Sequence, residues 1–233
     1  MIFVELKLHF MSEDKKTFWD RLSPTEKSYI EHSFSEVHRP RKSVIFKEGG
    51  LVQYVYILTK GIVRHSITGA SGHECITHIS SRGDILAAES LITGSAAGNT
   101  ATALTDVEMI SIPRVDFSSL LKNHPHVERE IINNLTLLLQ KNARRMYDLS
   151  YHSTEARISA TLLEFAQVYG YKPSTSIITY PIYRKDLASY AGVTVESAIR
   201  TLSKLKKNGI ISIENKYIGI KDIKELTRIS RDE

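Results

Sequence analysis

The sequence predicts an α+β chain in three parts: a small antiparallel β-sandwich or barrel, one long helix, and a winged helix-turn-helix. Three observations carry this. Between Val37 and Pro113, short β-branched and aromatic runs alternate with glycines. From Pro125 the apolar residues switch to a helical period. Gly192 to Leu205, GVTVESAIRTLSKL, combines a glycine turn, an N-cap and a helix with two different faces.

In chain order, Ser23-Pro24-Thr25-Glu26 has capping-box spacing with proline at the first helical position, so a short entry helix is expected from Pro24 to about Phe34. Strand runs follow at Val44 to Phe46, Tyr54 to Leu58, Cys75 to Ile79 and Val107 to Ile112, punctuated by Gly49, Gly50, Gly61, Gly69, Gly72, Gly83, Gly94 and Gly98. A barrel of this kind encloses a cavity more often than a reactive centre.

Beyond Pro125, Ile132, Leu135, Leu139, Asn142, Met146 and Leu149 recur at alternating spacings of 3 and 4, an a/d seam with one polar member. Such a seam wants a partner helix; the alternative is a helix lying on its own barrel. Asn142 favours a parallel pair, in which a buried amide bonds its twin, so a homodimer is expected. Ser153 is a plausible N-cap for the next helix, with Ile158, Leu162, Phe165 and Ala166 on one face, which makes Leu149 to Ser153 a candidate hinge. A polar stretch from Lys172 to Thr179 precedes a helix from about Lys185 to Ala191 and the turn at Gly192. Ile210 to Ile213 and Tyr217 to Ile220 alternate around Glu214-Asn215-Lys216 as a hairpin, the wing. The expected domains are therefore 1–124, 125–152 and 153–233.

Composition narrows the function. The longest apolar run near the start, MIFV, is too short for a signal-peptide core, and no stretch approaches the ~18 apolar residues of a membrane span, so a cytoplasmic protein is expected. One cysteine, Cys75, excludes an intramolecular disulfide and a four-cysteine iron–sulfur cluster within one chain. Residues 151–233 hold 13 Lys/Arg against 9 Asp/Glu, so four of the five net positive charges lie there. No nucleophile–base motif, strong metal spacing or phosphate loop argues for an enzyme.

The order of parts resembles the cyclic-AMP receptor protein and fumarate–nitrate regulator family of bacterial transcription factors, from about Lys42 to Lys221. IFKEGGLVQYVYILTKGIVR (Ile45 to Arg64) looks like its barrel signature, and RGDILAAESL (Arg82 to Leu91) sits at its effector cassette. LASYAGVTVESAIRTLSKLKKNGII (Leu187 to Ile211) looks like its helix-turn-helix. The resemblance implies a cyclic-nucleotide-binding-like jelly roll, or β-roll, a dimerisation helix, and a homodimer that binds double-stranded DNA, with RNA polymerase as a further partner.

A helix in the major groove reads bases with side chains near its N-terminus, arginine donating to guanine and glutamate accepting from cytosine. Glu196 and Arg200 meet that need and match the family's glutamate and arginine for a shared G·C pair. Their alternative is a solvated i,i+4 salt bridge. Val195, where the cyclic-AMP branch has arginine, implies a palindromic TTGA-like site; Ile199 replaces a serine and can touch a thymine methyl. Thr194 should cap this helix, and Arg184, Thr194, Lys204, Lys206, Lys207 and Lys216 are candidate phosphate contacts.

For the sensor, the resemblance places Glu89 at the ribose-binding glutamate and Ala88 at the glycine before it. The phosphate-binding arginine falls on Asn99, followed by Thr100. Burying a phosphate without a cation is costly, so cyclic AMP is not expected. The haem-ligand positions of the carbon-monoxide sensor fall on Ala87 and Glu89, and His73, Cys75 and His78 are the other possible ligands; haem is not expected, nor is any metal. What remains is a small organic effector in a pocket of Ala88, Glu89, Ser90, Asn99, Thr100, Leu135 and Leu139. LITGSAAGNTATALTD (Leu91 to Asp106) loosely resembles the cassette of halophenol-responsive regulators. Two other readings stay open: a haem-based gas or redox sensor, and a ligand-binding module whose winged helix contacts protein.

Overall fold

The computed structural model describes residues 21–31, 34–172 and 175–232. The MIFV start and part of the Lys172 to Thr179 stretch lie outside the described residues. Helix α1 (Pro24–Glu31) opens with the expected capping box: the Ser23 backbone N–H donates to Glu26 at 2.6 Å, and the Glu26 N–H donates to Ser23 Oγ at 3.3 Å.

The β-roll consists of two four-stranded sheets. One has the order β1 (Ser35–Arg39), β8 (Val107–Pro113), β3 (Tyr54–Lys60), β6 (Ile85–Leu86). The other runs β2 (Val44–Phe46), β7 (Thr100–Ala103), β4 (Val63–Thr68), β5 (Glu74–Ser80). Both faces of β3 are used, which accounts for its nearly continuous apolar run: Leu58 joins Val63, Ala101 and Met109 in one core, while Val55 and Ile57 join Ile110 and Ile112 in another. That second core is covered by helix α2 (Ala88–Thr93) through Leu91 and by α3 (Arg114–Asn123) through Phe117 and Leu120. Val127 and Ile131, from the first turns of α4 (Pro125–Tyr151), complete it.

Past those turns α4 carries its seam in the open. Leu139 is 69% exposed and Met146 70%, with Ile132 and Leu149 also exposed and Leu135 half-buried. The chain divides into two compact units whose boundary falls inside α4, between Asn142 and Ala143. The last turns of α4, from Ala143, pack with the C-terminal unit.

In that unit, α5 (Thr154–Tyr169) is capped by Ser153, whose Oγ accepts from the Ala156 N–H at 3.1 Å. The same Ser153 is held by Asp232, which accepts from its N–H at 2.9 Å and its hydroxyl at 2.6 Å. Helices α6 (Arg184–Ala191) and α7 (Val195–Lys207) meet at Gly192, whose φ of 64° is the left-handed conformation that glycine supplies cheaply. Ile158, Leu162, Phe165, Leu187, Ala198, Leu202 and Leu205 are buried. Strands β11 (Ile211–Glu214) and β12 (Tyr217–Ile220) form the wing, with Asn215 at φ 56° in its turn. Two short strands not expected from sequence, β9 (Tyr171–Lys172) and β10 (Ile177–Ile178), extend it in the order β11-β12-β10-β9. A terminal helix, α8 (Ile223–Ser230), is a second addition; it buries Leu226 and is capped by Asp222. No helix among the described residues is long and apolar enough to cross a membrane.

Candidate nucleic-acid interface and sensor pocket

Helix α7 separates its two faces sharply. The Ser197 N–H donates to Thr194 Oγ1 at 3.2 Å, so Thr194 is the cap that the sequence predicts. Ala198, Leu202 and Leu205 are buried while Val195 is 37% and Ile199 47% exposed, with Glu196 and Arg200 also exposed beside them. None of the ion pairs among the described residues joins Glu196 to Arg200. Arg200 instead donates from Nη2 to Ser197 Oγ at 3.4 Å, a long bond that leaves most of its five donors for another partner.

The basic residues around this face differ in their commitments. Lys206 and Lys207 are exposed in the last turn of α7. Lys216, in the wing turn, lies with Nζ 4.7 Å from the centre of the Tyr183 ring, and its carbonyl accepts from the Ile182 N–H at 2.7 Å, so the wing is tied to the entry of α6. Arg184 is half-buried and donates to the Ile182 carbonyl at 3.2 Å; burial holds its pKa below the ordinary value. Lys204 is ion-paired with Glu155 of α5 at 2.5 Å, at the edge of an open polar cleft of about 370 Å³ that Arg228 and Asp232 also line. A phosphate contact by Lys204 would compete with that carboxylate.

The effector cassette turns at a single residue. The residue with the left-handed backbone is Ala87, at φ 66°, one position earlier than the glycine position inferred from sequence. Helix α2 therefore begins at Ala88 and turns Ala88, Ser90 and Leu91 inward, while Glu89, about 100° further round, is exposed. Leu139 does not line the roll in this chain by itself, since its side chain is exposed. Thr100 Oγ1 accepts from the Glu48 N–H at 3.0 Å.

The interior of the roll has instead a polar centre absent from the sequence-based expectation. His65 on β4 is buried, with Nδ1 2.8 Å from Asn99 Oδ1 and Nε2 3.0 Å from Ser80 Oγ, and its ring stacks on His78 of β5 at 3.9 Å. Phe46 on β2 approaches it at 6.2 Å, and Ala101 pairs with both Phe46 and His65 across the sheet. Its signal in the sequence is the alternation of Val63 and His65, which lies outside the strand runs named from composition. Asn99, the residue at the expected arginine position, is thus bonded to a histidine. His73 and Cys75 are both exposed.

Burial lowers the pKa of His65 to about 4, offset in part by its bond to Asn99. The ring is therefore neutral when folded, whereas an unfolded histidine titrates near 6.5. Between those values the unfolded chain binds the extra proton, so this contribution to stability is whole above pH 6.5 and falls as pH drops toward 4. At pH 5 the loss should be about 2 kcal/mol. Stabilities from urea unfolding of the native chain at pH 7.5 and 5 should differ by that amount, and His65→Gln should remove most of the difference.

Residues 36–124 match the model of the cyclic nucleotide-binding domain, and residues 156–229 match that of the Crp-like helix-turn-helix domain. The CRP-like cAMP-activated global transcriptional regulator of Mycobacterium tuberculosis is 23% identical over 90% of this chain and 94% of its own length. The anaerobic regulatory protein of Haemophilus influenzae is 26% identical over 82% of this chain and 74% of its own. Among solved structures, FixK2 from Bradyrhizobium japonicum superposes with a TM-score of 0.76 at 22% identity, covering 84% of this chain and 96% of that one.

Proposed function

Because the chain belongs to the cyclic-AMP receptor protein and fumarate–nitrate regulator family of DNA-binding transcription regulators, we propose that it acts as a homodimer on an inverted repeat of TTGA-like half-sites, under control of a small organic ligand. The observation that carries this is the exposed face of α7, where Glu196 and Arg200 stand one turn apart and unpaired with each other, flanked by Val195 and Ile199. Arg200 reads the guanine of the half-site, Glu196 accepts from the paired cytosine, and Ile199 meets a thymine methyl. Thr194 at the helix N-terminus, Lys207, Lys216 and Arg184 position the duplex through phosphates, with Lys204 the weakest member of that set. Two copies joined along the α4 seam present two such readers about one helical turn apart, to which RNA polymerase is then recruited.

The effector reading rests on the surroundings of His65. Asn99, which the resemblance puts at the phosphate-binding arginine, holds a neutral buried imidazole and offers no cation, which supports an uncharged or weakly charged organic ligand rather than cyclic AMP or haem. Ligand in the roll biases the equilibrium between two arrangements of the DNA readers.

Fluorescence anisotropy against duplexes carrying or lacking the inverted repeat tests the proposal. A sequence preference with affinity falling steeply as salt rises is expected. Binding that ignores both would favour protein contact by the winged helix instead. Within that assay Lys207→Ala should weaken every duplex alike and flatten the slope of log affinity against log salt by about one unit. Lys204→Ala should change it less, since Glu155 already neutralises that ammonium.

A further inference from the structure

Helix α7 ends in three lysines that the fold treats unequally. Glu196, Arg200 and Lys204 follow one another at intervals of four, so Lys204 carries the exposed stripe of the reader one turn beyond Arg200. Lys206 and Lys207 stand exposed in the same last turn. Of the three, only Lys204 enters an ion pair among the described residues: its Nζ lies 2.5 Å from Glu155 Oε2, in the same C-terminal unit. The two helices favour that pair. Glu155 lies in the first turn of α5, where unsatisfied N–H groups attract a negative charge, and Lys204 in the last turn of α7, where unsatisfied carbonyls attract a positive one.

The pair sits at the surface, with the side chains of Lys204 and Glu155 61% and 26% exposed, so the ammonium can change partners without leaving water. It lines the open polar cleft beside Arg228 and Asp232. The other two carboxylates of that cleft are already engaged. Glu225 accepts from Arg228 Nε at 2.8 Å and from its Nη2 at 2.7 Å, and Asp232 accepts from Ser153. Removing the charge of Glu155 would therefore leave the Lys204 ammonium to solvent and to a duplex backbone.

We propose that Glu155 is an electrostatic latch on the reader: it occupies Lys204 in the free protein and so lowers the affinity for every DNA sequence alike, an inference that rests on the DNA-binding reading above. To reach a phosphate, Lys204 exchanges one anion for another, and little is gained by the exchange. The number of cations that release counterions from the duplex is thereby reduced by about one. Glu196 and Arg200 take no part in the pair, so the latch weakens backbone attachment and leaves the base preference as it is.

A four-chain cycle tests the latch: native, Glu155→Gln, Lys204→Ala and the double variant, each titrated by fluorescence anisotropy with matched and mismatched duplexes over a range of salt. Glu155→Gln should bind both duplexes about 3- to 10-fold more tightly near about 0.1 M salt, and steepen the slope of log affinity against log salt by about one unit. In the Lys204→Ala background the same change should leave affinity and slope nearly unchanged. A Glu155→Gln chain that binds no more tightly than the native one overturns the latch. So does an equal gain in both backgrounds, which would mean that the carboxylate simply repels the duplex. If circular dichroism shows that Glu155→Gln does not fold, Glu155→Asp decides, because it keeps the first-turn charge but withdraws it by one methylene. The latch then requires a smaller gain that Lys204→Ala abolishes, and no gain overturns it. A native chain without salt-dependent DNA binding overturns the DNA-binding reading and the latch with it. That outcome is distinguishable, because in a failure of the latch alone native binding stands.

Discussion

Leu139→Glu is expected to turn the protein into a monomer and to lower its affinity for the full inverted repeat by about 10²- to 10⁴-fold, with binding to a single half-site preserved. The size follows from how a two-headed reader works: once one half-site is held, the second binds at the effective concentration set by the linkage, and without the linkage that gain disappears. Leu139 suits the experiment because its side chain is 69% exposed in the single chain and contributes little to the core of either unit. The substitution should therefore leave the thermal midpoint of the monomer fold nearly unchanged. In the proposed dimer the same position faces its twin across the seam, so two carboxylates would be brought together in a desolvated layer, where like charges repel and neither finds a counter-ion. Sedimentation velocity would report the monomer, and anisotropy on full-site and half-site duplexes would report the loss. A Leu139→Glu chain that still sediments as a dimer would remove the seam as the interface.

The features most legible in the sequence are those that repeat or punctuate. The capping box at Ser23, the helix from Pro125, the cap at Thr194 and the turn at Gly192 each rest on local chemistry, and the structure has them where the spacing puts them. Elements defined by non-local pairing are harder to see. Strand β7, TATA, is a weak pattern stabilised by neighbours far away in the chain, Thr102 by Val44 and Arg64, and strand β9 is too short, at two residues, to show a pattern. The turn at Ala87 is equally hidden, because a left-handed alanine leaves no mark in a sequence, where glycine would do so. The polar centre of the roll is hidden for a similar reason. A histidine on a strand is ordinary until its partners Asn99, Ser80 and His78 converge on it from separate segments.

Arg200→Ala is expected to abolish discrimination at the guanine of the half-site, at a cost of about 1–3 kcal/mol, or about 5- to 150-fold in affinity for the matched half-site. The helix itself sets up this role. Thr194 starts it, the buried Ala198, Leu202 and Leu205 fix its roll about its own axis, and residue 200 is thereby held on the outward side, one turn in from the N-terminus. From there a guanidinium can donate two bonds to guanine O6 and N7, a geometry no other base pair offers. In the free protein Arg200 bonds Ser197 Oγ at the long distance of 3.4 Å, so little internal bonding is lost when DNA is engaged. Glu196→Gln should be milder, since an amide oxygen still accepts from cytosine N4 but without the charge. The pattern separates base reading from phosphate holding. Arg200→Ala should flatten the preference at one base pair while non-specific affinity at low salt falls far less, whereas Lys207→Ala lowers both equally. If Arg200→Ala instead weakened matched and mismatched duplexes by the same factor, the residue would be a phosphate contact, and the base-reading role would pass to another side chain on the exposed face of α7.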